Sequence, residues 1–169
     1  MRTYVALLRA VNVGGTGKLP MTELRRLCEE AGFESVRTYI ASGNVVFEST
    51  DSPEKAGEIL EKRLEAYAGK KVDVLLRTER EMADLVKVNP FPDEPGNQIG
   101  VLFLDREPPA DLSRVAGGVA DERFVAAARE VFIHYPQGMG RSKLKLDLGV
   151  ATTRNMNSVK KLAEMAAGG

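Results

Sequence analysis

Three segments of the sequence combine basic residues with glycine turns or with surplus hydroxyl and amide side chains, a combination suited to binding an anion. In residues 12–18, NVGGTGK, paired glycines let backbone N–H groups converge on an anion, and Lys18 adds charge. The segment is not a P-loop, because that motif places Ser or Thr after the lysine and Leu19 stands there. The alternative is a flexible turn between a strand and a helix, in which the glycines serve only backbone geometry.

The second basic segment, residues 135–144, reads YPQGMGRSKL. Arg141 offers a planar fork of donors, Ser142 a hydroxyl and Lys143 a point charge, and together they predict a clamp for a phosphate or a carboxylate. A solvated basic turn explains the same residues, since short charged runs are common on exposed surfaces. The sequence leaves both interpretations open.

The third segment, residues 151–162, reads ATTRNMNSVKKL and is expected to open the last helix. Four hydroxyl and amide residues crowd its start, although one suffices as an N-cap: Thr152, Thr153, Asn155 and Asn157. A helix N-terminus beside the Arg154 guanidinium suits an anion, so the surplus favours a binding role. Lys143 and Arg154 are both expected at the surface, where removing a charge costs within about 0.5 kcal/mol.

A fourth candidate lies in residues 39–47, YIASGNVVF. The triplet Ser42-Gly43-Asn44 is sufficiently explained as a hairpin turn between two strands. Tyr39, Ser42 and Asn44 would line a pocket in the alternative interpretation, because loops at strand ends often carry function.

No set of residues in the sequence predicts a reaction. The single cysteine, Cys28, lies on the apolar face of the first predicted helix and is expected in the core. The single histidine, His134, stands in VFIHYP without an evident carboxylate or serine partner. No triad, acid pair or metal-ligand spacing is present. We therefore predict no cofactor and leave open whether the protein is an enzyme.

Length and charge limit the classes of function. The chain has 169 residues, and its 24 basic residues balance 24 acidic ones. Net neutrality gives no general case for nucleic acid or membrane partners. The apolar runs fall far short of the ~20 residues of a membrane span and no signal-peptide pattern is present, so we expect a cytoplasmic protein. The balance conceals two basic segments, since residues 1–26 hold five basic residues against one acidic and residues 140–161 hold six against one.

The elements that must position these segments follow a β-α-β-β-α-β order in the first half of the chain. Apolar runs, alternation and Pro or Gly punctuation predict them. They are a strand over residues 3–12, a helix from Pro20 to Gly32, strands over Val36–Ala41 and Val45–Glu48, a helix from Pro53 to Gly69 and a strand over 71–77. This is the ferredoxin-like, or α/β-plait, order.

The second half repeats this topology less regularly. A capping box from Thr78 to Glu81 predicts a helix that runs to about Val88. The further elements are a strand over Ile99–Leu104, a short helix over Pro108–Ala116, strands over Phe124–Ala128 and Val131–Tyr135, a strand favoured over 143–148 by its alternation, and an amphipathic last helix. We therefore predict an α+β fold of two ferredoxin-like subdomains, residues 1–78 and 79–169, the second less regular and ending in a C-terminal helix.

Five motifs stand in order along the chain: LLRAVNVGG, YIASGNVVF, NPFP, YPQGMGRSKL and TTRNMNSVKKL. Together they resemble the bacterial family called domain of unknown function 1697, over nearly the whole chain. The resemblance implies two α/β-plait subdomains and no established reaction. Relatives often have glycine at Ala10, tryptophan at Met156 and threonine at Ser158. The residues that match the family are Arg9, Asn12, Gly14, Gly15, Ser42, Gly43, Asn44, Asn89, Pro90, Phe91, Ser142, Lys143, Thr153, Arg154, Asn155 and Asn157.

These features predict a protein that binds a small anionic ligand, a nucleotide or another phosphorylated metabolite, in a cleft between the two subdomains. The expected ligand-binding residues are Arg9, Asn12, Gly14, Gly15, Lys18, Ser42, Asn44, Arg141, Ser142, Lys143, Thr153, Arg154, Asn155 and Asn157. A nucleic-acid-binding plait is one alternative, although the strands lack the aromatic run on which bases stack. A protein–protein adaptor is another, and an exposed apolar patch would identify it. The oligomeric state does not follow from the sequence.

Overall fold

The computed structural model of the chain describes residues 1–9, 19–39 and 43–168. Within these ranges the fold is mixed α+β, with four α-helices, antiparallel sheets and no closed barrel. The helices are α1 (Met21–Glu30), α2 (Pro53–Ala68), α3 (Glu79–Lys87) and α4 (Met156–Ala166). The strands are β1 (Arg2–Leu8), β2 (Glu34–Thr38), β3 (Asn44–Ser49), β4 (Val74–Thr78), β5 (Ile99–Leu104), β6 (Ala116–Gly117), β7 (Arg123–Ala126), β8 (Glu130–His134), β9 (Lys145–Leu146) and β10 (Ala151–Asn155). None of these four helices has the length and apolar character needed to cross a bilayer.

The chain divides into two compact units. Unit 1 comprises Met1–Asp84 and Leu162–Gly169, and unit 2 comprises Leu85–Lys161. The division falls inside α3 and inside α4, so each of these helices contributes residues to both units. The boundary inferred from the sequence, between residues 78 and 79, stays a prediction about which stretches fold independently.

Unit 1 is built on a four-stranded antiparallel sheet in the order β2-β3-β1-β4. Successive side chains of a strand point to opposite faces, and both faces of β1 are buried. Tyr4 and Ala6 join the core cluster that α1 and α2 form, while Val5 and Leu7 on the other face are 0% exposed. Burial of both faces explains why the strand reads as a continuous apolar run.

Local signals set the helix ends of unit 1. The Ser52 hydroxyl accepts a hydrogen bond from the Lys55 amide at 3.2 Å, so α2 begins where Pro53 predicts it. Gly69 ends α2 in the left-handed region at φ +72°. The predicted capping box also forms at the start of α3. The Thr78 amide donates to the Glu81 carboxylate at 2.9 Å, and the Glu81 amide donates to the Thr78 hydroxyl at 3.1 Å.

Unit 2 has its own four-stranded antiparallel sheet, in the order β10-β5-β8-β7. When only the four strands of each sheet are numbered along the chain, both sheets have the same spatial order. One face carries a core cluster of buried apolar side chains from β5, β8, the 3-10 turn between β5 and β6, and the residue after β8: Leu102, Leu104, Leu112, Val131, Ile133 and Tyr135. The opposite face is also buried at Val101, Phe103 and Phe132.

The predicted helix over Pro108–Ala116 is wrong. Only a 3-10 turn forms, over Leu112–Arg114, and the chain then enters the short strand β6. β6 pairs with β9 through Ala116 and Leu146, which confines the predicted strand over 143–148 to two residues. Gly118 at φ +70° lets the chain pass against the Lys143 carbonyl, so the pairing replaces a helical stop.

The last helix begins later than the sequence predicts. Thr152, Thr153 and Arg154 lie in β10, where they pair with β5, and α4 starts at Met156. β-branched threonines pack well on a pleated sheet, which explains why this segment extends the sheet instead of opening the helix. The Asn155 side chain accepts a hydrogen bond from the Ser158 amide at 2.8 Å and is the N-cap.

Candidate functional site

Two of the basic segments meet over one glycine of the unit 2 sheet. A Cβ added to Gly100 of β5 would lie 2.9 Å from Cε2 of Tyr135, 3.2 Å from Cγ2 of Thr153 and 3.3 Å from Cε of Met139. Tyr135 and Met139 belong to the segment 135–144, whereas Thr153 belongs to 151–162. Because glycine has no side chain, both segments approach the β5 backbone directly.

The loop over residues 89–98, which begins with the NPFP motif, joins them. The Asn157 amide on the first turn of α4 lies so close to Gly96 that any side chain there would collide with it. The Tyr135 amide donates to the Gln98 carbonyl at 2.8 Å. Asn89 closes the start of the loop by accepting from the Phe91 amide at 3.0 Å. Two of the five sequence motifs and the loop that begins with NPFP therefore converge around Gly100, Tyr135 and Thr153 at one end of the unit 2 sheet, which is called the sheet-end site below.

Ser142 is tied into the protein at this end of the sheet. Its hydroxyl donates to the Glu122 carboxylate at 2.7 Å and accepts from the Leu144 amide at 3.1 Å. Hydrogen bonds from the Ala120 amide and from the Ser142 hydroxyl hold the pKa of Glu122 below its usual value. A carboxylate that is a weakened base does not activate a hydroxyl, so Ser142 is a structural link between two loops.

The two cations that flank Ser142, Arg141 and Lys143, are exposed, and neither forms an ion pair within residues 1–9, 19–39 and 43–168. Arg141 belongs to a 3-10 turn over Met139–Arg141, and the Lys143 backbone is fixed against Gly118. Both side chains thus extend into solvent from anchored backbone.

Arg154 is not at the surface, contrary to the sequence prediction. It is 7% exposed, and its Nη1 donates to the Thr152 hydroxyl at 2.7 Å and to the Thr153 carbonyl at 3.0 Å. Burial lowers the pKa of Arg154 to about 10, which leaves it charged at neutral pH. Strand alternation puts Arg154 on the face opposite Thr153 and Asn155, because successive residues of β10 point to opposite sides.

Thr153 and Asn155 lie on the Gly100 face of β10. The Asn155 side-chain oxygen caps α4, whereas its Nδ2 makes no hydrogen bond to a described residue. The Thr153 hydroxyl is likewise without a partner in that part of the chain. These donors and the exposed Asn157 lie in the segment 151–162, which meets the segment of Arg141 and Lys143 at Gly100.

The candidates of unit 1 divide into described and undescribed residues. Arg9 is exposed and pairs with Asp73 at 3.4 Å, so its charge is partly neutralised. Asn44 is fully buried, and its Nδ2 donates to the Tyr39 carbonyl at 3.0 Å, which favours the hairpin interpretation. The remaining candidates lie outside the described residues: Asn12, Gly14, Gly15, Lys18 and Ser42. Their predicted roles, and a cleft that they would share with unit 2, stay predictions.

His134 has the carboxylate neighbour that the sequence did not reveal. Its Nε2 lies 3.1 Å from Oε2 of Glu94, and its Nδ1 lies 3.2 Å from Nη2 of Arg123. The Phe91 ring completes the group, with its centroid 5.6 Å from that of His134 and 5.0 Å from the Arg123 guanidinium carbon. We call these four residues the His134 cluster.

Neither metal nor thiolate chemistry has a basis in the described ranges. They hold no group of three or more His, Cys, Asp or Glu residues that could bind a metal ion. Burial raises the pKa of the Cys28 thiol to about 12, so it is not a nucleophile at neutral pH.

Comparison with known proteins fixes the family. The sequence model of the family described as "Protein of unknown function (DUF1697)" matches residues 1–132. The chain belongs to the DUF1697 family. The match confirms the resemblance inferred from the five motifs, and it ends before the segments 135–144 and 151–162. No curated protein matches this sequence.

A solved structure supports the fold of this DUF1697 chain over its full length. It is that of the conserved bacterial protein SP0830 from Streptococcus pneumoniae, with a TM-score of 0.75 and 23% sequence identity. The alignment covers 98% of this chain and 98% of that one. At this identity the likeness establishes the architecture, including the region beyond the family match.

Sequence reasoning on this DUF1697 chain missed Glu94, Arg123 and Gly100. No local pattern signals them, because Glu94 lies 40 residues before His134 and reaches it only through the loop fold. Phe91 was the one available pointer, since the NPFP motif is among the family motifs. Gly100 carries a weaker signal, as a glycine that interrupts the apolar strand IGVLFL.

Proposed function

We propose that the protein binds a small anionic ligand, a nucleotide or another phosphorylated metabolite, at the sheet-end site of unit 2. The observation that carries the proposal is the convergence of Tyr135, Met139 and Thr153 over Gly100. This contact brings the segment with two exposed cations beside the segment with surplus hydroxyl and amide donors.

Charge supports the choice of an anion. Arg141 and Lys143 stand two residues apart and form no ion pair with any described residue, so an anion would meet two cations whose charge is not already neutralised. Arginine binds phosphate through two parallel hydrogen bonds and lysine as a point charge. The nearby carboxylate of Glu122 is held by Ser142, which limits but does not remove its repulsion.

The polar side chains support binding rather than catalysis. Thr153, Asn155 and Asn157 supply neutral donors that orient a ligand, whereas the carboxylate that Ser142 contacts, Glu122, is a weakened base. We therefore assign the site a binding role, with Arg141 and Lys143 holding the charge of the ligand.

We further propose that both units are variants of the ferredoxin-like plait. The spatial order of the four strands is the same in both, and unit 1 carries α1 and α2 between strands as that topology requires. In unit 2 a 3-10 turn and the β6–β9 pair stand where the two helices would be. This replacement leaves loops, and not helices, around the proposed site.

Thermal unfolding in the presence of pyrophosphate, a mononucleotide, a sugar phosphate and sulfate tests the proposal. A ligand at about 100 times its dissociation constant stabilises the folded protein by ~2.7 kcal/mol, which a thermal shift detects. We expect at least one phosphate compound to raise the Tm of the wild type. The Arg141→Ala/Lys143→Ala variant should keep its own Tm without ligand and lose this shift.

The matched control is the Lys62→Ala/Lys70→Ala variant, which removes two exposed cations from unit 1. Its ligand shift should equal that of the wild type, which separates a local site from general attraction of anions. Equal shifts in both double variants, or none with any compound, would reject the site. Preference for a short RNA over the mononucleotide, with a steep salt dependence, would favour a nucleic-acid module instead.

A further inference from the structure

The His134 cluster contains a buried ring with opposite charges at its two nitrogens. His134 is 5% exposed, the Glu94 carboxylate faces Nε2, and the Arg123 guanidinium faces Nδ1. The other charged residues on this face of the sheet, Glu130 and Arg154, lie further along their strands. Glu130 pairs with Phe103 and Arg154 with Val101, whereas His134 pairs with Ile99 at the end of the strand.

The chemistry of arginine fixes the tautomer of the neutral ring. A guanidinium only donates hydrogen bonds, so Nδ1 must accept at 3.2 Å and the proton of the neutral ring sits on Nε2. Nε2 is only 3.1 Å from Glu94, yet it makes no aligned hydrogen bond to any described residue. While the ring is neutral, Glu94 therefore lies close to Nε2 without forming a well-aligned hydrogen bond to it.

Protonation changes the two contacts in opposite directions. A proton on Nδ1 would face the Arg123 donor with no lone pair between them, so that hydrogen bond is lost and replaced by repulsion. The positive ring at the same time attracts the Glu94 carboxylate more strongly. Arg123 is exposed and its guanidinium also lies over the Phe91 ring, so it can leave Nδ1 and still keep a favourable contact.

We propose that the His134 cluster is a proton-dependent switch that exchanges Arg123 for Glu94 as the main partner of His134 and so regulates the sheet-end site. The regulatory part rests on the proposed function. Glu94 belongs to the loop over 89–98, and two residues later Gly96 packs against Asn157 at the start of α4. A tighter Glu94 contact fixes this loop, and an added positive charge favours an anion.

The switch predicts opposite changes in two segments. We expect lower pH to raise the hydrogen-exchange protection of residues 91–98, because Glu94 is held more tightly. It should lower the protection of residues 123–126 of β7, because Arg123 is released. Each change should be about threefold after correction for intrinsic exchange, as for one ion pair or hydrogen bond.

Hydrogen exchange of the ligand-free protein, compared between about pH 8 and about pH 5.5, tests the switch directly. In His134→Asn the amide accepts from Arg123 but does not titrate, so both pH effects should vanish. Glu94→Gln alters a half-exposed residue and should abolish only the effect on 91–98. Unchanged protection in the wild type, or a change of the same sign in both segments, would overturn the switch.

The dissociation constant of pyrophosphate at the same two pH values tests regulation. On going to the lower pH, we expect the affinity of the wild type to increase about threefold more than the affinity of His134→Asn. Pyrophosphate itself titrates equally in both experiments, so this comparison removes its effect. Equal pH dependence in the two proteins would overturn regulation. If pyrophosphate does not bind while hydrogen exchange still responds, regulation falls with the proposed function and the switch alone stands.

Discussion

Each unit contains one buried arginine on the last strand of its sheet, one residue before a helix N-cap. Arg77 of β4 lies opposite Val5, and Arg154 of β10 lies opposite Val101. In both, Nη1 donates at 3.0 Å to the carbonyl of the preceding residue, Leu76 or Thr153. The N-caps that follow are Thr78 and Asn155. The equivalence extends from strand order to a side-chain hydrogen bond.

The units differ in the residue that the equivalent first strand presents on the face that carries each unit's core cluster. Next to Val5, unit 1 has Tyr4, whose ring is buried in the α1–α2 core and whose hydroxyl donates to the Asp51 carbonyl at 2.7 Å. Next to Val101, unit 2 has Gly100, which the motif residues approach directly. The comparison shows how one sheet order accommodates either a helix-covered core or converging loops, depending on which residue faces the connections.

The largest effect should come from removing the buried arginines. Arg77→Ala and Arg154→Ala each leave a cavity and unpaired hydrogen-bond partners, so we expect a loss of about 2–4 kcal/mol in the free energy of unfolding, measured in urea. Lys143→Ala should stay within about 0.5 kcal/mol of the wild type, as the exposed control. If Arg154→Ala behaves like Lys143→Ala while Arg77→Ala is destabilised, the two arginines are not equivalent.

A smaller effect is expected at Gly100, where unit 2 needs the absence of a side chain. Gly100→Val would push Tyr135, Thr153 and Met139 apart, at a cost of about 1–3 kcal/mol in urea unfolding. The control is Gly57→Ala in α2 of unit 1, because nothing lies within 4 Å of the position that a Cβ would take at Gly57. That variant should be stabilised by about 0.5–1 kcal/mol, since alanine favours a helix interior. A harmless Gly100→Val would mean that the motif segments do not depend on this contact.

The sequence predicts unit 1 better than unit 2, for a physical reason. The helices of unit 1 have capping residues such as Ser52 and Gly69, which act within a few residues and can be recognised in a short stretch of sequence. The 3-10 turn at Leu112–Arg114 and the strand pair β6–β9 depend instead on contacts between distant segments. Local periodicity therefore suggests a helix that tertiary pairing overrides.

The candidate site shows the same limit. Composition and spacing identify Arg141, Lys143 and Asn155 as residues of interest, because their chemistry is independent of the fold. Burial depends on the fold, so the sequence predicts Arg154 at the surface although β10 carries it into the interior. The His134–Glu94 contact joins residues from a strand and a loop, and no periodicity predicts such a pair.

The smallest effect compares the two N-caps and separates helix capping from ligand binding. Asn155→Ala removes the oxygen that the Ser158 amide needs, and Thr78→Ala removes the oxygen that the Glu81 amide needs, so each should cost about 1 kcal/mol in urea unfolding. Asn155→Asp keeps the capping oxygen and should retain the stability. It also replaces the Nδ2 donor, which no described residue accepts from, by a negative oxygen, so it should abolish the thermal shift with a phosphate compound. Thr78→Ala lies in unit 1 and should keep that shift despite its lower Tm. Binding that survives Asn155→Asp would assign Asn155 to the cap alone and leave the charge of the ligand to Arg141 and Lys143.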